Sequence, residues 1–182
     1  NMKMKREQTQ AWIIDIQERL LPAMSQPEEL VRQAEKLIRG LNLLEIPLTV
    51  SQQYTRGLGM TDSRIREAVG REDYLEKLSF SCLGEPAMRE RLAASPERKT
   101  VVLLGIESHI CVLQTALDLK EAGYEPVVAA DCVDSRKARD REMALRRMEQ
   151  EGIRLATVES CLFELLGRAG TDTFRQISRL IK

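Results

Sequence analysis

The run TVVLLG, from Thr100 to Gly105, constrains the fold more than any other feature of the sequence. A continuous apolar run of this kind is typical of a strand in a parallel sheet that is covered on both faces. Residues 27–43 instead carry apolar side chains at the i, i+3, i+4, i+7 spacing of an amphipathic helix. Strand-like and helix-like segments alternate along the chain, which predicts a three-layer α/β/α fold around a doubly wound, mostly parallel sheet of about six strands.

The other segments follow the same pattern. We expect strands at 11–16, 46–51, 100–105, 125–130 and 153–158, and helices at 27–43, 85–94, 113–122, 136–151, 160–166 and 173–181. Residues 52–76 are rich in glycine and charge, which predicts a loop with one short helix. The helix at 136–151 is expected to bury Ala138, Met143, Ala144 and Met148.

Composition excludes several classes of protein. The 182 residues are 43% hydrophobic and 31% charged, so we expect a single domain over 1–182, in which residues 1–9 form a polar N-terminal arm or tag remnant. Lys+Arg and Asp+Glu number 28 each, and without a basic excess we expect no nucleic-acid partner. No apolar run reaches the about 20 residues that cross a membrane. Four scattered cysteines and one histidine predict reduced thiols, a cytoplasmic protein and no metal.

Cys111 is the first candidate for chemistry. Ligands of doubly wound sheets bind beyond the carboxyl ends of the strands, and Cys111 lies six residues after Gly105, where the chain should turn into a helix. A helix N-terminus activates a thiol through its dipole and free N–H groups. The alternative is a buried structural cysteine, which is how we interpret Cys82, Cys132 and Cys161.

Three further side chains each have a plain alternative. Asp15 interrupts the apolar run AWII and is costly there unless it is hydrogen-bonded or functional, the alternative being a turn cap. Lys77 lies in EKLSFS and on its own indicates only a solvated surface charge. His109, the single histidine, is two residues from Cys111. Residues at that spacing do not face each other on a helix, so we favour a packing role for His109 over catalysis.

Five segments together resemble the isochorismatase-like cysteine hydrolases. They are IIDIQERL around Asp15, QQYTRGLGMT at 52–61, EKLSFS around Lys77, GIESHICV around Cys111 and AGYEPVVAADCVDSR at 122–136. They occur in the family's order and cover nearly the whole chain. The GLG loop and the E-[ST]-H-x-C turn resemble the branch called isochorismatase domain-containing proteins.

The resemblance implies a catalytic triad of Asp15, Lys77 and Cys111, no cofactor, and a homo-oligomer. It also implies a cis peptide bond between Ile106 and Glu107, with the backbone N–H groups of Glu107 and Cys111 as an oxyanion hole. Nicotinamidases of this superfamily carry an Asp-x-His metal motif after the second strand, where this chain has SQQYTRGLG, so we expect no metal there. Isochorismatases of siderophore synthesis lack the nucleophilic cysteine, so the family name does not fix the reaction.

In the mechanism that the resemblance implies, Asp15 takes the proton of Cys111. The thiolate then attacks the acyl carbon of a small amide or related C–N bond and forms a thioester. Because Lys77 and the helix start both favour the thiolate, we expect the pKa of Cys111 to lie below the free value of about 8.5.

The substrate and two alternative functions stay open at this point. A pocket lined by Gln17, Tyr54 and Phe80 would suit a small, partly apolar amide as the small-molecule substrate. One alternative is a non-catalytic scaffold on the same fold. The other is a thiol redox protein, in which Cys132 would resolve an oxidised Cys111.

Overall fold

A computed structural model describes residues 2–182, and within them six strands form one parallel sheet in the order β3-β2-β1-β4-β5-β6. The strands are β1 (Thr9–Ile14), β2 (Leu48–Gln53), β3 (Leu75–Lys77), β4 (Thr100–Ile106), β5 (Glu125–Asp134) and β6 (Arg154–Ala156). The helices are α1 (Pro27–Leu43), α2 (Thr55–Leu58), α3 (Ser63–Val69), α4 (Pro86–Ala93), α5 (Leu113–Glu121), α6 (Ala138–Gln150), α7 (Val158–Leu166) and α8 (Asp172–Ile181). Helices cover both faces of the sheet, which confirms the predicted three-layer α/β/α fold.

The sheet separates two hydrophobic cores. Alternate residues of a strand point to opposite faces. In β4, Val102 and Leu104 therefore enter a core with α1, α3, α7 and α8, whereas Val101 and Leu103 enter a core with α4, α5 and α6. Both faces of β4 are buried, and this is the physical reason that its sequence is an uninterrupted apolar run.

The N-terminal residues pack more closely than a free polar arm would. Thr9 begins β1 and pairs with Thr100 of β4. Met4 is buried, and its backbone N–H donates to the carboxylate of Glu164 at 2.6 Å. The expected arm therefore ends before Thr9 and is partly packed on the fold; Asn1 lies outside the described residues.

Two other segments differ from the sequence prediction. The stretch 52–76, expected to be a loop with one short helix, contains α2, α3 and the short strand β3. In α6, Ala144 and Met148 are buried as predicted, but Ala138 and Met143 are exposed. The buried stripe of α6 is narrower than predicted because residues 144 and 148 lie one turn apart on a single line of the helix, and Met143 points away from that line.

The strand order opens a crevice beside β1. Ile14, the last residue of β1, pairs with Ser51 of β2 on one side and with Gly105 of β4 on the other. The helix that follows β1 packs on one face of the sheet and the helix that follows β4 packs on the other. Such a switch point leaves room for a ligand at the carboxyl ends of the strands. None of the helices within residues 2–182 is long and apolar enough to cross a membrane.

Candidate active site

Asp15 directly follows β1 and is fully buried. Its backbone is left-handed, with φ of 54°, a conformation that Asp adopts more readily than most residues. Its N–H donates to the carbonyl of Ser51 at 3.2 Å, and its Oδ1 accepts from the Ser51 hydroxyl at 2.8 Å. These bonds hold the carboxylate at the end of the central strand, so Asp15 is not the surface turn cap that was the alternative.

Lys77 ends the edge strand β3, yet it is only 1% exposed. Its Nζ lies 2.8 Å from Asp15 Oδ2 and 3.4 Å from Cys111 Sγ. Three uncharged oxygens complete its surroundings: Gln53 Oε1 at 2.6 Å, the Ser79 carbonyl at 3.1 Å and the Phe80 carbonyl at 2.9 Å. The alternative of a solvated surface charge is therefore wrong for Lys77.

Cys111 lies in a π-helical turn (Ser108–Val112) that joins β4 to α5, and it is 7% exposed. Its Sγ accepts a hydrogen bond from the Lys77 Nζ, and the negative charge of Asp15 lies close enough to raise its pKa. Three segments that are distant in sequence thus bring Asp15 and Cys111 to the same ammonium group at one edge of the sheet.

Burial and the charges of the neighbouring groups together determine the ionisation of these three groups. Burial, together with the negative charge of Asp15, raises the pKa of the Cys111 thiol to about 12, against the opposing effect of Lys77. Burial also raises the pKa of Asp15, although Lys77 acts to lower it. Burial lowers the pKa of Lys77, but the charges of Asp15 and Cys111 outweigh it and raise that pKa. The expectation that the Cys111 pKa falls below its free value is therefore wrong, and burial favours a neutral thiol beside Lys77 and Asp15.

This ionisation state predicts the pH dependence of alkylation. We expect the rate of Cys111 modification by iodoacetamide to rise with pH throughout the neutral range, because only the thiolate reacts and its pKa is raised to about 12. Peptide mass spectrometry over a pH series measures this rate, with the fully buried Cys132 as an internal control that should stay unmodified. A rate that levels off near neutral pH would contradict the raised pKa.

The backbone N–H groups of Glu107 and Cys111 are the donors that the family resemblance implies for an oxyanion hole, and this role stays a prediction. The Ile106–Glu107 peptide bond is cis. The Glu107 carboxylate is bound on the other side, since its Oε1 accepts from the backbone N–H of Arg136 at 3.0 Å and from the Arg136 Nε at 3.1 Å. These bonds attach the turn that carries Cys111 to the β5–α6 connection.

Comparison with known proteins identifies the family to which this site belongs. Residues 11–160 match the isochorismatase domain family, and that stretch contains Asp15, Lys77 and Cys111. This chain belongs to the isochorismatase domain family.

Several relatives of this isochorismatase-family protein are similar along most of the chain. A protein of Phytophthora sojae named secreted isochorismatase effector Isc1 is 37% identical over 176 residues, covering 94% of this chain and 83% of the relative. Isochorismatase domain-containing protein 1 of Danio rerio is 37% identical over 168 residues, which are 92% of this chain but only 59% of that protein. A structure from Caenorhabditis elegans described as MAR1 ribonuclease is 32% identical, with a TM-score of 0.91, and the match covers 98% of this chain and 92% of that one.

Gln17 has a structural position in this isochorismatase-family protein. Its Nε2 donates to the carbonyls of Gln53 at 2.9 Å and Gly59 at 2.8 Å, and its Oε1 accepts from the Gln53 N–H at 2.6 Å. The side chain is fully buried and both amide hydrogens are used, so Gln17 joins the end of β1 to the segment after β2, and a part in a substrate pocket stays a prediction. Tyr54 is 49% exposed and Phe80 is 55% exposed, and both contact Lys77 through their backbone.

The other thiols occupy different environments. Cys132 and Cys161 lie in the core with α1 and α7, across the sheet from Cys111. Cys132 therefore cannot reach Cys111 in the folded protein, so it is not the resolving thiol that the redox alternative expected. Cys82 lies in the same core as Cys111, with its Sγ 3.9 Å from the hydroxyl of Ser51, and burial raises its pKa to about 12.

His109 contacts the β5–α6 connection rather than the thiol. Its Nδ1 is 2.9 Å from the hydroxyl of Ser135, and its Nε2 is 3.8 Å from a carboxylate oxygen of Asp140. These contacts agree with the packing role that we favoured over catalysis.

Sequence reasoning missed two polar residues at the end of β2. Ser51 fixes Asp15, and Gln53 accepts from Lys77 while its Nε2 donates to the carbonyl of Leu78 at 2.9 Å. The polar run SQQ at the end of an apolar strand is the signal that could have revealed them. Gln53 stands in the segment where nicotinamidases carry their metal motif, and among residues 2–182 no group of three or more His, Cys, Asp or Glu side chains is arranged to hold a metal ion.

Proposed function

We propose that this protein is a cysteine hydrolase that cleaves a small amide or related C–N bond through a thioester on Cys111. The observation that supports this most strongly is that the Lys77 ammonium group contacts both Asp15 and Cys111 in a buried site. A carboxylate, an ammonium group and a thiol are costly to bury together unless they are paired. This arrangement supplies a base, a fixed positive charge and a nucleophile within hydrogen-bond reach of one another.

The first half of the reaction follows from the resting ionisation. The neutral thiol gives its proton to the Asp15 carboxylate as Sγ attacks the acyl carbon, so no thiolate needs to exist beforehand. The oxyanion that forms accepts hydrogen bonds from the N–H groups of Glu107 and Cys111. When the tetrahedral intermediate collapses, the C–N bond breaks and Asp15 returns the proton to the leaving amine.

The second half releases the acyl group. Asp15 takes a proton from a water molecule, whose oxygen attacks the thioester carbon. The C–S bond breaks, the carboxylic acid leaves, and the proton passes from Asp15 to the sulfur. Base catalysis of this kind contributes about 10²–10⁴-fold, and each oxyanion donor contributes about 10²–10³-fold.

The test is a panel of small aliphatic and aromatic amides, incubated with wild type, Cys111→Ala and the matched control Cys82→Ala. We expect turnover by wild type and Cys82→Ala, none by Cys111→Ala, and an acyl adduct on Cys111 in intact-mass spectra of wild type. Full turnover by Cys111→Ala would contradict the proposal. RNA oligonucleotides belong in the same panel because a relative is described as a ribonuclease. Cleavage of RNA that depends on Cys111, without amide turnover, would replace the amide by a phosphodiester substrate.

Three finer properties belong to the proposal. Tyr54 and Phe80 form the rim of the substrate pocket, where their exposed rings suit a partly apolar acyl group. The protein is a homo-oligomer, in which a second copy covers the edge strand β3. Leu78 directly follows this strand and is 69% exposed, and an exposed apolar side chain beside an unpaired sheet edge is usually buried in a contact. It works in the reducing cytoplasm, where its four cysteines stay as free thiols.

A further inference from the structure

The turn after β3 carries two of the groups that hold Lys77. The carbonyls of Ser79 and Phe80 both accept from its Nζ, at 3.1 and 2.9 Å. An ammonium group has three hydrogens, and here it also faces Asp15, Gln53 and Cys111. Which acceptors it satisfies depends on where this turn places its carbonyls.

Glu85, at the start of α4, shapes that turn. Its Oε1 accepts from the backbone N–H groups of Leu78 at 2.9 Å and Ser79 at 3.0 Å, and it lies 3.0 Å from the Ser79 hydroxyl. One carboxylate oxygen thus accepts hydrogen bonds from the N–H groups of the two residues that directly follow Lys77. The N–H groups of residues 78 and 79 bind Glu85, and the carbonyls of residues 79 and 80, which come next along the same short turn, bind the ammonium group.

We propose that Glu85 is a positioning residue for Lys77, and that its hydrogen bonds to the β3–α4 turn set the place of the ammonium group between Asp15 and Cys111. This inference rests on the proposed function, since it assigns Glu85 a part in the same reaction. Glu85 acts through the turn: its hydrogen bonds go to Leu78 and Ser79, and the reacting atoms lie beyond them.

Glu85 also has a neighbour that serves as a matched control. Glu76, on β3 itself, accepts from the Thr55 N–H at 3.0 Å and from the Thr55 hydroxyl. Like Glu85, it is a surface-facing carboxylate that binds backbone on an adjacent segment, but it does not touch the turn that carries the Lys77 acceptors. A non-specific effect of losing surface charge or local order should appear in alanine variants of both glutamates, whereas the proposed effect should appear only in the variant of Glu85.

The experiment compares Glu85→Ala, Glu85→Gln and Glu76→Ala in amide hydrolysis and in the iodoacetamide alkylation of Cys111 at one fixed pH. We expect Glu85→Ala to lower kcat by about 10- to 100-fold with little change in KM, because small displacements of a catalytic group have effects of this size. Alkylation of Cys111 should slow, since Lys77 no longer supports the thiolate. Glu85→Gln should recover most of both rates, because its amide oxygen can accept the same bonds, and Glu76→Ala should resemble wild type.

Each outcome separates this inference from the proposed function. If Glu85→Ala keeps the wild-type kcat and alkylation rate while Cys111→Ala is inactive, the role of Glu85 is wrong and the cysteine mechanism stands. If Cys111→Ala remains active, the mechanism is wrong, and the alkylation rates alone decide whether Glu85 positions Lys77. A glutamine variant as slow as the alanine variant would overturn the hydrogen-bond argument. If the alanine variant does not fold, Glu85→Asp gives the same comparison, because it keeps the charge and shortens the reach of the side chain. Wild-type kcat and alkylation rates in Glu85→Asp would also overturn the hydrogen-bond argument.

Discussion

Replacing Lys77 by methionine is expected to lower turnover by at least about 10²-fold and to lower the free energy of unfolding at neutral pH by about 3–5 kcal/mol. Methionine fills a similar volume, so the loss comes from charge rather than from a cavity. The Asp15 carboxylate would stay fully buried with the Ser51 hydroxyl as its remaining side-chain partner, besides the Cys111 thiol. Urea unfolding and amide hydrolysis measure the two effects, with the exposed Lys137→Met as the control.

The cost of this change should depend on pH in a direction that Asp15 determines. Burial already raises the pKa of Asp15, and Lys77 is the largest influence that lowers it. The folded variant therefore binds a proton at Asp15 more readily than the unfolded chain does. A group of this kind stabilises the fold at low pH and loses that contribution as the pH rises through its raised pKa. The stability difference from wild type should shrink in acid; a difference that grows in acid would show that Asp15 is not the group left unpaired.

Gly105→Ala is expected to destabilise the fold by at least about 3 kcal/mol, because a buried strand cannot move to relieve backbone strain and steric overlap. Gly105 has a φ of 133°, and a Cβ there would lie 2.1 Å from the carbonyl oxygen of Ile14. The clash is with the backbone of β1, so no side-chain rotation relieves it. Ile14 also directly precedes Asp15, so any shift of β1 moves the carboxylate that we propose as the base.

Gly70→Ala provides the matched control for this prediction. Gly70 also has a positive φ, 80°, but nothing lies within 4 Å of its would-be Cβ. Its substitution should cost only the left-handed backbone penalty of about 1–2 kcal/mol. The fluorescence of Trp12, which is buried in β1, reports unfolding in both variants. Equal unfolding midpoints for the two variants would refute the backbone clash.

The long elements of the fold could be predicted from sequence because their own side chains determine them. β4 is apolar on both faces, and α1 spans the predicted range 27–43. β3 could not be predicted, because its three residues carry no apolar pattern, with Glu76 exposed and a lysine as the buried side chain. They form a strand through pairing with β2. Short edge strands depend on their neighbours more than on their own composition.

The residues of the site likewise include some that local sequence could indicate and some that it could not. Asp15 and Cys111 could be singled out by position, because both follow strands of the parallel sheet. Lys77 could be proposed only through the family resemblance, since its own sequence context indicates a surface charge. The burial of Gln17 and the raised pKa of Cys111 could not be predicted for the same reason. Each depends on how many distant groups surround the side chain, and local sequence carries no measure of that.

Asp15 and Lys77 extend from strands that differ in local stability. Asp15 extends from β1, which has a strand on each side, whereas Lys77 ends a three-residue strand with one neighbour. Local opening at a sheet margin costs less free energy than opening at its centre. If β3 detaches briefly, the ammonium group withdraws and water reaches the carboxylate, while the other five strands of the sheet stay paired. We therefore expect the proposed activity to be lost at a lower temperature than the fold, because the margin of the sheet opens before its centre.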